Sequence, residues 1–212
     1  MGQKVNPIGF RLGNLYTWTS RWFAPKGTFA KYLLEDQKIR KFLTENLKPA
    51  GISKVEIERF FDKRTIIIHV SRPGVAIGRG GSGLEQIKGT LVKKFEIKDP
   101  TKLEIKFEEV KSPDLDAYLV AIGIADQLVR RVPFRRAINQ YLERIKRSGA
   151  KGARITLAGR LGGSEIARRV TIKDGSLPLH TIRANIDFAK VDAKAPKSGI
   201  IGVKVWICKG ES

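Results

Sequence analysis

Residues 73–84 are the part of this sequence that most restricts the fold, because five glycines lie within them between two segments of opposite character. The β-branched residues of segments 52–60 and 64–70 predict two strands before the run, and the apolar spacing of residues 84–95 predicts a helix after it. Glycine has no side chain, so such a run lets two backbones approach closely and presents N–H groups at the start of the helix. The segment therefore predicts a loop that binds an anion such as phosphate.

The glycine spacing in this run matches two different motifs. Gly78, Gly80 and Gly83 fit the G-x-G-x-x-G of a dinucleotide-binding loop, which follows a strand directly within a parallel strand–helix–strand unit. Pro73-Gly74 interrupts the strand here, and the two predicted strands resemble an antiparallel hairpin, so we disfavour this interpretation. A P-loop is excluded because no Gly-Lys-Ser or Gly-Lys-Thr follows. We favour the G-x-x-G loop of a KH module, which clamps about four nucleotides and here comprises Gly78, Arg79, Gly80 and Gly81.

A second G-x-x-G match, residues 159–162, lies in a different context. It falls between two predicted strands, and no amphipathic helix follows it. The helical flanks that a nucleotide-clamping loop requires are therefore missing. We predict that this second match forms a hairpin turn.

The charge of the chain indicates the kind of partner that it binds. It has 41 Lys and Arg against 21 Asp and Glu, a formal net charge of +20, and a compact chain with this charge repels itself unless a polyanion neutralises it. The longest relevant apolar stretch, residues 119–125, is far shorter than the roughly 20 residues of a membrane span, and the N-terminus has no apolar core of a signal peptide. We therefore expect nucleic acid rather than a membrane surface as the partner.

Seven cations cluster around a predicted amphipathic helix at residues 134–147, and Glu143 is the only acid close to them. Several of these cations lie off the apolar stripe of the helix, on its exposed side. A solvated charged face is the ordinary alternative, but cations of one sign this close together repel one another without a partner. We favour a phosphate-binding surface formed by Arg130, Arg131, Arg135, Arg136, Arg144, Lys146 and Arg147.

Two other basic regions are candidates for RNA contact. The N-terminal 27 residues combine cations such as Lys4 and Arg11 with aromatic rings, which either stack on bases or attach the arm to the core of the protein itself. Both alternatives stay open. The strands beyond residue 151 form short basic hairpins suited to docking against folded RNA, with Lys151, Arg154, Arg160, Arg168, Arg169, Lys173 and Arg183.

Catalytic chemistry has little support in the sequence. His69 lies among apolar strand residues and is predicted to be structural, whereas His180 follows Pro178 in a loop, where a hydrogen bond to backbone or phosphate is expected. Two histidines and one cysteine, Cys208, do not make a typical zinc site, and no G-x-S-x-G motif occurs. We expect no enzyme activity, no metal and no cofactor.

The order of predicted elements indicates an α+β protein. The Pro-containing segment 111–113 separates two groups of elements. Before it come a helix at residues 28–47 with Thr28 as its cap, two strands, a helix and a strand at 102–109. Two helices and four strands follow it. The later helices are predicted at 114–131 and 134–147, and the strands at 154–157, 166–172, 184–191 and 200–207. We therefore predict an N-terminal arm (1–27), a first domain (28–111) and a second domain (112–212).

Several long blocks of the chain resemble, in order, the small-subunit ribosomal protein three family of bacteria and organelles. These blocks are Met1 to Gly13, Ser71 to Gly78, Phe134 to Ala137, Gly159 to Arg168, Leu179 to Ala184 and Gly202 to Ile207, so that the likeness covers nearly the whole chain. The resemblance implies a type II KH domain followed by a C-terminal two-layer α/β domain, with two helices packed on a four-stranded, mostly antiparallel sheet.

The resemblance also implies a function and a set of residues. The family belongs to the head of the small ribosomal subunit, binds ribosomal RNA beside neighbouring head proteins, and lines the mRNA entry tunnel, where it assists unwinding. The implied mRNA-entry residues are Arg130, Arg131, Arg135, Arg136 and Asn139, the last at a position where bacterial relatives commonly have Lys. The implied rRNA-binding residues are Lys4, Arg11, Arg160, Arg168, Arg169, His180 and Arg183. A cytoplasmic ribosome is the expected location, with an organelle matrix or stroma as the alternative.

Two further classes of function are weighed against the ribosomal one. A free-standing RNA helicase or nuclease is disfavoured because the sequence has no P-loop, metal cluster or acid–base pair. A stand-alone KH regulator of mRNA would bind a short single-stranded RNA selectively, whereas ribosomal docking depends on shape and strongly on salt.

Overall fold

A computed structural model describes residues 4–60, 63–94, 103–196 and 199–211, except for the side chains of Arg79 and Glu211. The chain divides into two compact units. Trp18–Lys111 form one unit, called the KH unit below for the motif that it contains, and Met1–Thr17 with Ser112–Ser212 form the other, called the C-terminal unit. The segment 1–27 is thus shared between the two units.

The described residues of the KH unit form a four-stranded sheet and three α-helices. The sheet order is β1-β2-β3-β4, where β2 and β3 are antiparallel and β3 and β4 are parallel. The parallel pair was not predicted from the sequence, and α3 and α4 make the crossover between its strands. The first helix of the chain, α1 (Pro7–Phe10), belongs to the other unit. The elements of the KH unit are β1 (Ser20–Arg21), α2 (Lys26–Asn46), β2 (Ile52–Phe60), β3 (Lys63–Val70), α3 (Pro73–Ile77), α4 (Ser82–Lys94) and β4 (Leu103–Glu109).

The core of the KH unit lies where the helices cover the sheet. Alternate residues of β3 face inward, so that Ile66 and Ile68 are fully buried against Ile39 and Leu43 of α2. The predicted capping role of Thr28 is wrong, because α2 begins earlier with Pro25 as its N-cap and the Thr28 hydroxyl donates to the Pro25 carbonyl. The helix predicted at residues 84–95 begins at Ser82, and its predicted stop at Asp99-Pro100 lies outside the described residues.

The C-terminal unit has two helices on one face of a fully antiparallel sheet of order β6-β5-β8-β7. Its first helix begins later than predicted, because Asp116 is the N-cap and its carboxylate accepts from the N–H groups of Tyr118 and Leu119. The elements are α5 (Ala117–Val129), α6 (Phe134–Arg147), β5 (Gly152–Gly159), β6 (Arg168–Gly175), β7 (Ala184–Ala195) and β8 (Gly199–Glu211). The predicted fold class is confirmed.

The sheet of the C-terminal unit has two faces of different character. One face packs against α5 and α6 through residues such as Ile155, Val203, Val205 and Ile207, which are fully buried. The other face, called the outer face below, carries the residues that alternate with these. No helix in the described part of the chain is long and apolar enough to cross a membrane.

Candidate nucleic-acid interface

The G-x-x-G segment of the KH unit joins α3 to α4 through a tight left-handed turn. Gly78 ends α3 with φ 73°, and Gly80 has φ 62° within the short 3-10 turn Arg79–Gly81. A Cβ on Gly83, the next glycine, would lie 2.8 Å from the Ala76 carbonyl oxygen. The glycines therefore permit both the turn and the close approach of the two helices, and the loop opens at the start of α4, as the KH motif requires.

The second G-x-x-G match is built differently. Gly159 ends β5 and pairs with Arg168 at the start of the antiparallel strand β6, so residues between them form the connection of a hairpin. This connection contains a single 3-10 turn, Leu161–Gly163, and no α-helix. The predicted hairpin is confirmed, and the same spacing of glycines has no phosphate-clamping geometry here.

The connection between α5 and α6 carries four exposed arginines. Arg130 and Arg131 follow α5, and Arg135 and Arg136 lie in the first turn of α6, where no acidic residue is present. Arg131 has φ 63° and is the one non-glycine residue with positive φ in the described part of the chain. None of these four arginines forms an ion pair with a described residue. The structure thus places all four predicted mRNA-entry cations in one short segment.

At the C-terminal end of α6, two cations form ion pairs. Lys146 pairs with Asp174 at 3.1 Å and Arg147 with Glu143 at 3.6 Å. Both cations lie in the last turn of the helix, where the helix dipole also stabilises positive charge. Asn139 is exposed between the two ends. The seven cations that the sequence grouped together therefore do not form one equivalent set.

The structure corrects the prediction that Arg11 contacts rRNA. Its side chain is fully buried, at 0% exposure. Its guanidinium donates four hydrogen bonds to backbone carbonyls, from Nε to Ala184 at 2.6 Å and from the terminal nitrogens to Pro7, Leu179 and Thr181. Because these bonds use most of its donors, Arg11 attaches the N-terminal segment to the sheet rather than presenting charge to RNA.

Tyr16 makes a second attachment of the same segment. Its hydroxyl donates to Asn185 Oδ1 at 2.8 Å. Burial raises the pKa of Tyr16, and the nearby Asp187 carboxylate raises it further. The hydroxyl therefore stays protonated and keeps donating. For residues 4–17, the alternative in which the arm is fixed to the protein itself is the one that the structure shows.

The other predicted rRNA-binding residues are exposed in the C-terminal unit. Arg160 follows β5 and its Nε donates to the Ser164 carbonyl, Arg168 and Arg169 begin β6, and Arg183 precedes β7. Lys4 and His180 are also exposed, and both line a cavity of about 550 Å³ over the outer face of the sheet. The structure thus brings these two together.

Sequence reasoning missed the aromatic residues of this cavity, Trp206 and Phe188. Their ring centroids lie 5.1 Å apart, and the Cζ atom of Arg154 lies 5.2 Å from the Trp206 ring centroid. The sequence contained a signal for Trp206, because this residue alternates with the apolar Val205 and Ile207, which are buried in β8. The Trp206 ring packs in part against the small buried cluster of Ala184, Ile186 and Cys208, and it remains half-buried at the cavity.

The titratable residues of the described segments do not group into a metal site. No cluster of three His, Cys, Asp or Glu residues suited to a metal occurs in the described part of the chain. His69 lies 3.5 Å from Glu56 and 3.3 Å from Glu108 within the KH unit, which agrees with the predicted structural role.

Comparisons with known proteins agree with both units. Residues 38–115 match the family model described as "KH domain", and residues 124–207 match the model described as "Ribosomal protein S3, C-terminal domain". The chain is 50% identical over 211 residues to "Small ribosomal subunit protein uS3" of Desulfatibacillum aliphaticivorans, covering 100% of this chain and 94% of that protein. The proteins of the same name from Pelagibacter ubique (48% identical, 91% of its length) and Caldicellulosiruptor saccharolyticus (50%, 93%) match all of this chain as well.

The aligned region covers both units and every candidate RNA-contacting segment. The sequence identity is far above the level at which two proteins share only a fold. The predicted family is therefore confirmed on the whole length of the chain. The chain belongs to the family of small ribosomal subunit protein uS3.

Proposed function

We propose that this structural component of the small ribosomal subunit guides mRNA into the subunit through the α5–α6 connection and holds ribosomal RNA through its other basic surfaces. The chain is a ribosomal protein and not an enzyme, as the sequence predicts. A bacterial protein of this family is cytoplasmic, where the ribosome works. The observation that carries the proposal is the unpaired state of Arg130, Arg131, Arg135 and Arg136 among the described residues.

The positions of these arginines are unfavourable for the folded protein by itself. Arg135 and Arg136 lie at the helix N-terminus, where the helix dipole is positive and a cation is disfavoured by about 0.3–1 kcal/mol. Arg131 adopts a left-handed backbone conformation that costs a non-glycine residue about 1–2 kcal/mol. A phosphate strand offsets both the repulsion among the cations and the dipole effect. These unfavourable features support a partner that is negatively charged.

A row of cations also favours single strands over RNA structure. Arg135 and Asn139 are one helical turn apart on the exposed side of α6, and Gln140, one turn from Arg136, accepts a hydrogen bond from Gln127. A strand held along this side has its phosphates contacted while its bases stay unpaired. Asn139 supplies hydrogen bonds without charge, so we expect unwinding to depend on the arginines.

Translation of structured messages tests this function. The change Arg135→Ala with Arg136→Ala removes two exposed cations and should leave folding intact, because neither side chain belongs to the buried stripe of α6. Ribosomes with this variant should translate an mRNA that carries a hairpin ahead of the entry site more slowly than wild-type ribosomes do, while an unstructured mRNA is translated at the same rate. Codon-resolved translation in a reconstituted system measures both.

The matched control is Lys146→Ala with Arg147→Ala, which removes the same charge from the other end of α6. These two cations are already paired with Asp174 and Glu143, so hairpin-dependent slowing should be much weaker. If both double variants translate structured messages like the wild type, the proposed guidance of mRNA is wrong. If both slow translation equally, the effect belongs to net charge and not to the α5–α6 connection.

We also propose that the G-x-x-G loop of the KH unit contacts RNA. Replacing Arg79 and Gly80 by Asp should weaken RNA binding by the isolated protein without unfolding it, because no atom lies within 4 Å of a Cβ on Gly80 and Asp tolerates positive φ. Gly83→Ala is the opposite case, since its Cβ would collide with the Ala76 carbonyl and should destabilise the unit. Unchanged RNA affinity in the double Asp variant would remove the loop from the RNA-binding surface.

Neighbouring head proteins are proposed as further partners. Trp18 and Phe23, at the start of the KH unit, are 69% and 94% exposed. Aromatic residues are enriched in protein interfaces relative to the rest of the surface. Within an assembled subunit we expect these residues to be covered.

A further inference from the structure

The outer face of the C-terminal sheet carries a row of side chains that guidance of mRNA does not require. In the strand register, Arg154 of β5 lies opposite Trp206 of β8, and Trp206 lies opposite Phe188 of β7. Side chains at such directly opposed positions are neighbours on one face of a sheet. Three strands thus contribute one cation and two aromatic rings to a single line.

The three side chains form a continuous stacked surface. Phe188 and Trp206 have ring centroids 5.1 Å apart with an angle of 38° between their planes. The Cζ atom of Arg154 lies 5.2 Å from the centroid of the Trp206 ring. Trp206 is only partly buried, so part of its ring surface remains available to a ligand.

This surface forms the floor of the cavity of about 550 Å³. Its walls come from the N-terminal segment, including Lys4 and Phe10, and from the loop at Leu179 and His180. The volume falls within the range of roughly 300–1,000 Å³ that is usual for small-molecule sites. The hydrogen bonds from Arg11 to the carbonyls of Leu179 and Ala184 hold these walls to the sheet, so Arg11 is a positioning residue for the cavity.

The charge around the cavity is positive. The cations Lys4, Arg154 and Lys204 line it, and its described lining contains no carboxylate. Arg154 forms no hydrogen bond or ion pair with a described residue, and its Nε is buried without a hydrogen-bond partner there. The register continues the positive charge beyond the cavity, to Lys173 beside Arg154 and Lys190 beside Lys204.

We propose that this cavity receives one unstacked nucleotide of an RNA strand, with its base stacked on Trp206 and its phosphates next to Lys4 and Lys204. The inference rests on the proposed function in that RNA is the partner. An aromatic floor suits a base, and the cations of the lining suit the sugar-phosphate chain. An apolar side chain of a neighbouring protein would leave the cations of the lining uncompensated, so the charge favours RNA.

Binding of short RNA to the full-length protein tests the inference. The probes are the hexamers r(A)6 and r(U)6 and a fully abasic hexamer, which has the same phosphates and no bases. Wild-type protein should bind at least one intact hexamer about 5- to 150-fold more tightly than the abasic one, the range expected for one base stacked on an aromatic ring. Trp206→Leu should lose most of this preference while its binding of the abasic hexamer is unchanged.

The matched control is Phe60→Leu, which removes an exposed aromatic ring of the other unit, outside the N-terminal arm, and should keep the preference. If Trp206→Leu does not fold, Trp206→Tyr should fold and keep the preference, and a photo-crosslink from 4-thiouridine hexamers to wild-type protein should map to the β8 peptide that contains Trp206. Equal binding of intact and abasic hexamers by the wild type, equal losses in the two Leu variants, or crosslinks only elsewhere overturn the inference.

A different binding result is expected if the proposed function itself is wrong. In that case the wild-type protein binds neither the intact nor the abasic hexamers in a salt-dependent way, because no phosphate contacts are made. Salt-dependent binding that shows no preference for bases retains RNA binding and overturns only the nucleotide cavity. That outcome would point to a protein side chain as the occupant.

Discussion

The two units of this protein use a similar amount of positive charge in opposite ways. The KH unit has 20 Lys and Arg against 12 Asp and Glu, and the C-terminal unit has 21 against 9. In the KH unit, buried or half-buried carboxylates such as Asp36 and Glu56 each contact several cations or donors. In the C-terminal unit, the cations of the α5–α6 connection and of the cavity have no carboxylate partner among described residues.

The difference shows that net charge alone does not locate an RNA-binding surface. Removing the partner of a cation that is paired inside the fold destabilises the protein, whereas a cation that is left unpaired is available to phosphate. The variants below test this division, because loss of an internally paired group should lower stability, whereas loss of an unpaired arginine should weaken RNA binding.

Asp36→Ala should have the largest effect on stability. The Asp36 carboxylate is fully buried and accepts hydrogen bonds from Ser20, Trp22 and Arg59. Its removal leaves the buried Arg59 without that partner, so we expect a loss of about 3–5 kcal/mol in the free energy of unfolding, measured by urea denaturation. The control Lys63→Ala breaks an exposed pair with Glu104 and should cost less than about 1 kcal/mol. Similar losses in the two variants would contradict an internal charge network in the KH unit.

Arg11→Met tests a fully buried cation of the C-terminal unit that acts internally. Four backbone carbonyls lose a charged donor, so the free energy of unfolding should fall by about 3 kcal/mol. The control Lys4→Met, on the same segment but exposed, should change it by less than about 0.5 kcal/mol. If Arg11→Met is as stable as Lys4→Met, the role of Arg11 as an internal attachment is wrong.

Glu56→Gln should produce a smaller effect that depends on pH. Burial of the Glu56 carboxyl acts to raise its pKa, but the hydrogen bond from Lys54 and the charges of Lys54, Arg21 and His69 outweigh burial, and the net pKa is lowered. A lowered folded-state pKa stabilises the protein above the ordinary Glu value of about 4.3, and this contribution is lost as the pH falls through the folded-state pKa. The variant should therefore be less stable than the wild type by about 1.5 kcal/mol at pH 7 and should converge with it in acid.

Thermal unfolding of both proteins between pH 3 and pH 7 measures this convergence. The matched control is the exposed acid Glu58, whose carboxylate forms one ion pair, with Arg21, among the described residues. The stability of Glu58→Gln relative to the wild type should therefore depend less on pH. A constant difference between wild type and Glu56→Gln at all pH values would show that the carboxylate charge is not what Glu56 contributes.

Arg131→Gly should have the smallest effect and the opposite sign. Glycine adopts the φ of 63° without the clash of a Cβ, so the free energy of unfolding should rise by about 0.5–1 kcal/mol. The control Arg130→Gly removes the same charge at a position with φ −76°, where glycine should instead cost about 0.5–1 kcal/mol. Both variants should weaken RNA binding to a similar extent, which filter binding at several salt concentrations measures. A loss of stability in Arg131→Gly would mean that its side chain supports the fold.

Local patterns predicted much of the secondary structure. The helix predicted at residues 134–147 is observed as Phe134–Arg147, because its apolar side chains repeat at helical spacing and Pro133 and Ser148-Gly149 bound it. The strand predicted at 52–60 is likewise observed as Ile52–Phe60. Helix starts were less well predicted. The helix predicted from residue 28 begins at Lys26 with Pro25 as its N-cap, and the helix predicted from residue 114 begins at Ala117 with Asp116 as its N-cap.

The candidate site was predicted in part. The four arginines of the α5–α6 connection lie near one another in sequence, so their proximity was visible without a structure. The cavity was not visible, since Lys4, His180 and Trp206 come from three distant parts of the chain. Arg11 was assigned to RNA because an arginine in a basic arm has no local feature that indicates burial.

The sequence by itself determined the elements, the excess of positive charge and the family, since periodicity, composition and motif spacing are local or additive properties. Only the tertiary structure decided which cations are neutralised and which are free. The carbonyls that accept from Arg11 outside its own segment lie 168 to 173 residues away in the chain. No local pattern encodes such a pairing, because it depends on which strands meet when the sheet of the C-terminal unit forms.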